Sequence, residues 1–303
     1  MSKHLLTLYT RTPLHVGCGT SVDVVDLPIM RERITNFPVI PGSSLKGVLL
    51  QAAREHFENG THGRSNDTLP AEAKLLFGNI ESEGEGENKK QMSNAGCVQI
   101  MEAKLLAFPV RSLAGCFAWI TCPAVLERFQ RDTGKSVPVP QPEKEKAIAG
   151  ADLIVNHQIV LEEYALNVQV PAEGKSASDV ASILKGCTAD PLWTSKLDKR
   201  LAIVADELFQ HFVTTCTEVV TRVKIDPATR TVDGGALFNQ ENVPCEALFY
   251  SVLTVIPPRR ETATDPNLLL KQLLPDDKPP LLQIGGDETT GHGICETKRE
   301  ELK

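Results

Sequence analysis

With 303 residues, 41% hydrophobic and 23% charged, the chain can bury a substantial core as one large domain with insertions or as two small ones. No apolar run approaches the roughly 20 residues needed to cross a bilayer, and MSKHLLTLYTRTPL turns polar too soon for a secretory leader, so the cytoplasm is the expected location. The net charge of -7 excludes a uniformly basic nucleic-acid binder, yet Arg11, Arg31, Arg33, Lys46 and Arg54 concentrate near the N-terminus, where a local groove can still be positive.

In chain order, residues 4–10 (HLLTLYT) alternate as a strand, broken by Pro13, Gly17 and Gly19 before a polar segment that runs to Pro28. Pro38-Val-Ile-Pro-Gly42 is a rigid turn. Ser43 and Ser44 then cap a helix whose Leu45, Val48, Leu49, Ala52, Ala53 and Phe57 recur near the helical period. Residues 79–96 are charged and turn-rich and read as a mobile loop. Residues 97–110 and Phe117–Thr121 read as strand, and Pro123 opens a helix through Arg131. A second mobile, linker-like loop is expected over 132–150, strands over 152–170 and a loop over 171–179. A helix around 197–212 carries Leu201, Val204, Leu208 and Phe212 on one stripe.

Val219–Lys224 alternates, Asp226–Gly235 turns the chain, and Leu237-Phe238 with Ala247–Ile256 return, which makes a long decorated hairpin. A Pro-rich stretch over 257–280 precedes the strand Leu281–Ile284 and then Gly285–Gly293. No repeat is visible, and the order of elements is α+β. The eight cysteines contain no CxxC pair, so a zinc knuckle is excluded and scattered reduced thiols are expected.

Three constellations can carry chemistry. Four of the nine residues in Gly285–Gly293 are glycines, so backbone N–H groups can cradle a phosphate, or the segment is a plain turn; no Walker or dinucleotide spacing completes it. Gly42-Ser43-Ser44-Leu45-Lys46 feeds a helix N-terminus, which attracts anions, and Lys46 lies where a cation is mildly unfavourable to the helix. Between His15 and Glu32, Asp23 and Asp26 sit in a proline-stiffened loop. A carboxylate there can hold a divalent ion or orient a hydroxyl, or simply cap a turn; His15 can serve as an acid or base or be structural. No GxSxG or HExxH is present.

Taken together, Thr12–Gly19, Val25–Glu32 and Phe37–Gly47 resemble the N-terminal signature of the RAMP superfamily of CRISPR proteins, and within it the backbone subunit of the type III-B (Cmr) effector complex. Leu76-Phe-Gly78, Leu106–Ser112 with Phe117–Pro123, the hairpin Thr217–Tyr250 and Gly285–Gly293 extend the resemblance over most of the chain, in order.

The resemblance implies one domain over 1–303: an RRM-like (ferredoxin-like) palm with insertions, a long β-hairpin thumb over 217–250 and a glycine-rich RNA-binding loop over 285–293. It implies copies stacked as a filament on guide crRNA, alongside other Cmr subunits, with specificity left to guide–target pairing. Carried over by position, Ser43, Ser44, Lys46, Arg111, Ser112, Gly285, Gly286, Thr289, Thr290, Gly291, His292 and Gly293 would contact RNA, and Phe238 of the thumb would wedge a nucleotide out. Asp26 matches the catalytic aspartate, acting with a divalent metal (Mg²⁺ or Mn²⁺) on single-stranded target RNA to leave 2′,3′-cyclic-phosphate and 5′-hydroxyl ends. His15 would be auxiliary, and Asp23 is closer to a turn residue. Two other readings are a non-catalytic guide-binding scaffold and a metal-independent guide-processing endoribonuclease using His15.

Overall fold

The computed structural model describes residues 1–20, 24–58, 69–83, 90–226, 228–259 and 262–303. The chain begins with β1 (Ser2–Thr10), β2 (Val39–Ile40), α1 (Gly42–Phe57), α2 (Ala71–Phe77), β3 (Gly78–Glu83), β4 (Lys90–Ala95), β5 (Val98–Ile100) and β6 (Ala103–Ser112). It continues through β7 (Cys116–Thr121), α3 (Pro123–Thr133), β8 (Lys146–Ala149), β9 (Gln158–Leu161), β10 (Tyr164–Val168), α4 (Ala177–Leu184), α5 (Pro191–Arg200) and β11 (Leu201–Ile203). It closes with α6 (Asp206–Thr215), β12 (Glu218–Ile225), β13 (Val232–Asn242), β14 (Leu248–Val255), α7 (Pro266–Leu273), β15 (Leu281–Gln283) and β16 (Ile294–Leu302).

Seven consecutive residues of β1, His4–Thr10, are buried, because both faces of this strand are covered. On one face His4 reaches Asn267 of α7; on the other Tyr9 meets Trp193 of α5 edge-on, ring centroids 5.6 Å apart. The strand is flanked by antiparallel β14 and β16, and β6 follows β14, giving the local order β16-β1-β14-β6. Helix α1 lies in the connection from β1 to β6 and α7 in that from β14 to β16. Their Leu45, Leu49, Ala53, Leu269, Leu270 and Leu273 share one core with Leu6 and Leu8. Beyond β6 the sheet runs β7-β11-β8-β10-β9 and returns to β6 through Ser112 and Leu161.

Hairpin β12–β13 stands outside that sheet, paired from Glu218↔Asn242 to Ile225↔Val232. It is shorter than the expected 217–250, since Leu248–Tyr250 belong to β14. The expected loop at 79–96 holds β3 and β4, paired from Gly78↔Ala95 to Glu83↔Lys90; residues 84–89 lie outside the described residues. In 132–150, α3 runs to Thr133, Val137 is buried and β8 occupies the end.

The single helix expected around 197–212 is broken. Leu201-Ala-Ile203 is a strand wedged between β7 and β8, and a new helix starts at Asp206 and Glu207, whose charges suit its N-terminus. A short buried apolar run reads equally well as helix or strand, so periodicity alone could not separate them. Nor do Ser43 and Ser44 cap α1. Pro41 is the N-cap, no side-chain cap bond forms, and the two serines lie inside the first turn.

Candidate active site

Strand β13 organises the site. Leu14 and Val243 exchange backbone bonds of 2.8 and 2.9 Å, anchoring the N-terminal segment. Farther along, Leu27 donates to Asn239 O and accepts from Glu241 N, both at 3.0 Å, and so pairs in parallel with Gln240. The Asp26 carboxylate extends this pairing: Oδ2 accepts the Asn239 N–H at 2.7 Å. His15 Nδ1 donates to the Glu241 carbonyl at 2.7 Å, since a carbonyl only accepts. The two anchor points are two residues apart on one strand, about 7 Å at ordinary strand rise.

Glu241 is buried, and its carboxylate ties the surrounding chain together. It accepts from Ile29 N (3.1 Å) and Thr217 Oγ1 (2.8 Å) and pairs with Arg31, which also donates to Val213 O at 3.0 Å. Val24, Val25, Pro28 and Arg31 face Thr214, Thr215, Thr217 and Val219 across an open groove of about 370 Å³. The groove thus runs between the loop that carries Asp26 and the root of the hairpin, lined by the neighbours Val25 and Pro28. Asp23 lies outside the described residues.

The glycine loop docks on the same strand. Gly286 N donates to His15 O at 2.9 Å and Gly293 N to Pro13 O at 2.8 Å. Gly285 has φ +82°, and a Cβ on it would sit 2.1 Å from His15 O, so glycine is required by both conformation and space. Asp287 takes the left-handed conformation (φ +63°), and its Oδ2 accepts from Gln240 Nε2 at 2.5 Å and lies 3.2 Å from the Arg222 guanidinium. Arg222 donates to His292 Nδ1 at 2.9 Å. Gly285, Gly286, Thr289, Thr290 and Gly291 are exposed, whereas His292 is half-buried and Gly293 is buried. Burial pushes the nearby Glu218 carboxyl above its ordinary range, with His292 opposing.

At the start of α1, Leu45 N makes the first helical bond, to Pro41 O, so Gly42, Ser43 and Ser44 present N–H groups that the helix itself does not use. Ser43 and Lys46 are exposed. The following turns, from Gly47 to His56, border a groove shared with Gln283 of β15 and Glu288 of the glycine loop. Arg111 and Ser112 are placed elsewhere, at the far end of β6. The Glu162 carboxylate grips the exposed Arg111 guanidinium (Nε 2.7 Å) and holds it above its ordinary range, and Ser112 Oγ is buried. Phe238 is half-buried against Arg222 and Asp287, whereas Val219, Val223, Ile225, Val232 and Leu237 on the same hairpin are exposed.

Among the described residues no three His, Cys, Asp or Glu side chains cluster to cage a metal, and all eight cysteines are free thiols. Asp26 supplies a single carboxylate. Such a donor suits Mg²⁺ or Mn²⁺ only when substrate phosphate and water complete the shell, as magnesium sites commonly arrange.

The chain belongs to the RAMP superfamily, whose model matches residues 7–296. Within that superfamily its likeness is to Cmr4. It is 36% identical to the CRISPR system Cmr endoribonuclease Cmr4 of Pyrococcus furiosus over 100% of this chain and 97% of that protein. The crystal structure of oligomeric Cmr4 from the same organism superposes with a TM-score of 0.73 at 30% identity, each chain fully covered. A chain in the cryo-EM structure of a type III-B Cmr-beta complex bound to cognate target RNA shares the fold, with a TM-score of 0.69 at 19% identity over 98% of this chain and 96% of that one.

Proposed function

We propose that this chain is the repeating backbone subunit of a type III-B CRISPR effector, a cytoplasmic ribonucleoprotein that binds guide crRNA and cleaves guide-paired target RNA at regular intervals. Identity of 36% over the full chain to a protein named as the Cmr endoribonuclease supports the activity, the oligomeric form of a similar Cmr4 supports stacking with further copies, and the shared fold of a chain in a Cmr complex suits assembly with other Cmr subunits. No helix among the described residues is long and apolar enough to cross a membrane. The order β16-β1-β14-β6, antiparallel throughout with α1 and α7 in the crossovers, supports an RRM-like (ferredoxin-like) palm.

One observation carries the catalytic reading: Asp26, His15 and the glycine loop converge on residues 239–243, at the largely buried root of the hairpin. The exposed glycine loop and the first turn of α1 offer N–H groups to guide phosphates. The hairpin's exposed aliphatic side chains suit a wedge that splays the duplex, with Leu237 more exposed than the expected Phe238.

A splayed nucleotide brings its ribose 2′-hydroxyl into line with the adjacent phosphate. Asp26, oriented by the Asn239 N–H, assists removal of the 2′-hydroxyl proton. The 2′-oxygen bonds to phosphorus, the P–O5′ bond breaks and the leaving oxygen takes a proton, so the products are a 2′,3′-cyclic phosphate and a 5′-hydroxyl. A divalent ion held by Asp26 and RNA phosphate would supply Lewis-acid polarisation of the scissile group.

The test is the reconstituted complex carrying Asp26→Ala. Guide binding should hold while single-turnover target cleavage falls about a hundredfold or more. Undiminished, regularly spaced cuts would leave the scaffold reading in its place.

A further inference from the structure

We infer that Asp287 is a positioning residue that couples the glycine loop to the Asp26 carboxylate. The inference rests on the reading above, in which Asp26 acts on the target strand.

The route between them is short. Asp287 Oδ2 accepts from the side-chain amide of Gln240 at 2.5 Å and pairs with Arg222 at 3.2 Å. The Gln240 side chain is buried, and its backbone neighbours are the two anchors already described: Asn239 N–H orients Asp26, and Glu241 C=O holds His15. Leu27, the residue after Asp26, brackets Gln240 with its own N–H and C=O. A shift of Gln240 along or across β13 must therefore move Asp26.

Asp287 is otherwise an odd choice for this loop. It adopts the left-handed backbone that glycine favours, in a segment already rich in glycine. Its own carbonyl closes the turn by accepting from Thr290 N, Thr290 Oγ1 and His292 N, which leaves the carboxylate to face the hairpin. The neighbouring Gly285-Gly286 backbone packs on His15 independently. The loop thus grips both candidate catalytic segments at separate points, and its seating on a guide strand is transmitted to both.

The pair also permits an exchange test. Gln240→Glu alone sets two carboxylates against each other. Adding Asp287→Asn restores one donor and one acceptor between the two positions with direction reversed, at the cost of the Asp287–Arg222 ion pair. Gln240 also donates to Asn242 Oδ1, and Asn242 Nδ2 is buried without a partner, so an amide flip there satisfies the new carboxylate.

The experiment compares assembled complexes carrying Asp287→Ala, Asp287→Asn, Gln240→Glu and the Gln240→Glu/Asp287→Asn double change, with Asp26→Ala as control. Melting temperature, guide affinity, target affinity and single-turnover cleavage are measured for each. Asp287→Ala and Gln240→Glu should each lower the cleavage rate about tenfold with both affinities within about twofold, and the double change should cut faster than Gln240→Glu alone, though below the parental rate because the Arg222 pair is lost. If guide affinity falls in step with cleavage, Asp287 is an RNA contact and the inference is overturned. It is equally overturned if Asp26→Ala abolishes cutting while Asp287→Ala leaves the rate intact. Full cutting by Asp26→Ala would remove the catalytic reading itself, and the inference with it.

Discussion

Asp26 takes its hydrogen bond from the backbone of Asn239, so the candidate carboxylate is oriented by a group that no side-chain substitution at position 239 except proline removes. Asn239 also accepts from Leu27 N through its carbonyl, so both of its backbone groups face the Asp26 loop rather than β12. Opposite Thr221 it occupies a non-hydrogen-bonded site of the hairpin ladder. The hairpin is therefore both an exposed projection and the ruler that sets Asp26.

This arrangement makes Asn239→Pro an informative substitution. It deletes the donor to Asp26, sets a ring carbon where that N–H pointed and so pushes the carboxylate away, and spares the β12–β13 ladder at the cost of the side-chain bond from Thr221. In the assembled complex, cleavage should fall about tenfold or more while guide affinity and melting temperature change little. Cleavage at the parental rate would mean that the backbone contact does not orient the carboxylate.

Gly285 and Gly291 separate strain from collision. Both have positive φ, but a Cβ on Gly285 would strike the His15 carbonyl whereas one on Gly291 meets nothing within 4 Å among the described residues. Gly291→Ala should cost about 1 kcal/mol from conformation alone. Gly285→Ala should cost more, about 2–4 kcal/mol, and lower both guide binding and cleavage because His15 must move. Equal melting shifts for the two variants would contradict the packing described here.

Much of the fold was written in local pattern. The stripe from Leu45 to Phe57, Pro123 at a helix start and the alternation of Val219–Lys224 each correspond to an element. Two further elements carry signals of their own. Ser176 and Asp179 form a capping box at the start of α4, and Asp265 followed by Pro266 caps α7 inside a stretch that reads as Pro-rich coil. Strand β16 was hidden for a physical reason. Its Glu296 and Arg299 are buried and partnered by Arg11 and Asp276, so a strand of the main sheet carries the charge pattern of a solvated tail.

For the site, Asp26, His15 and the glycine loop stand out as residue types, but their meeting place does not. They converge on backbone groups of Asn239 and Glu241, and backbone groups leave no mark in a sequence. Arg31, Glu241, Gln240 and Asp287 hold the meeting place together, but no sequence pattern links them, because a contact between distant segments has no periodicity. Arg111 and Ser112 show the converse: their motif is clear, yet β6 carries them to a different edge, where Glu162 occupies the guanidinium.

The donor set around Asp26 predicts a cleavage that depends on added ion and shared substrate. Chelator should abolish target cutting by the complex, Mg²⁺ or Mn²⁺ should restore it, and the 5′ fragments should end in 2′,3′-cyclic phosphate while the 3′ fragments begin with a 5′-hydroxyl. His15→Ala should lower the rate only about threefold to tenfold, since Nδ1 is committed to the Glu241 carbonyl. Cutting of precursor guide RNA by the isolated chain in chelator would instead favour a His15-based processing enzyme.

A final expectation concerns the junction of α3 with β6 and β14. Asp132 joins three elements: its buried carboxylate accepts from Lys104 Nζ of β6 at 2.8 Å and from Tyr250 OH of β14 at 3.0 Å, and Arg131 lies 3.2 Å away. Burial acts to raise this carboxyl, but the hydrogen bond and charge of Lys104, with Tyr250 and Arg131, outweigh it and hold the group below the ordinary 3.8. The folded state therefore binds the Asp132 proton less readily than the unfolded chain. Its stabilisation is complete above pH 3.8 and is lost as pH falls through the lower folded value. Asp132→Asn strands the buried Lys104 ammonium and should cost about 3–5 kcal/mol near pH 7. Denaturant titrations stepped downward in pH should find that gap nearly constant to about pH 4 and narrowing below it. A gap that stays the same width into strong acid would show that Asp132 contributes through shape alone and not through its charge.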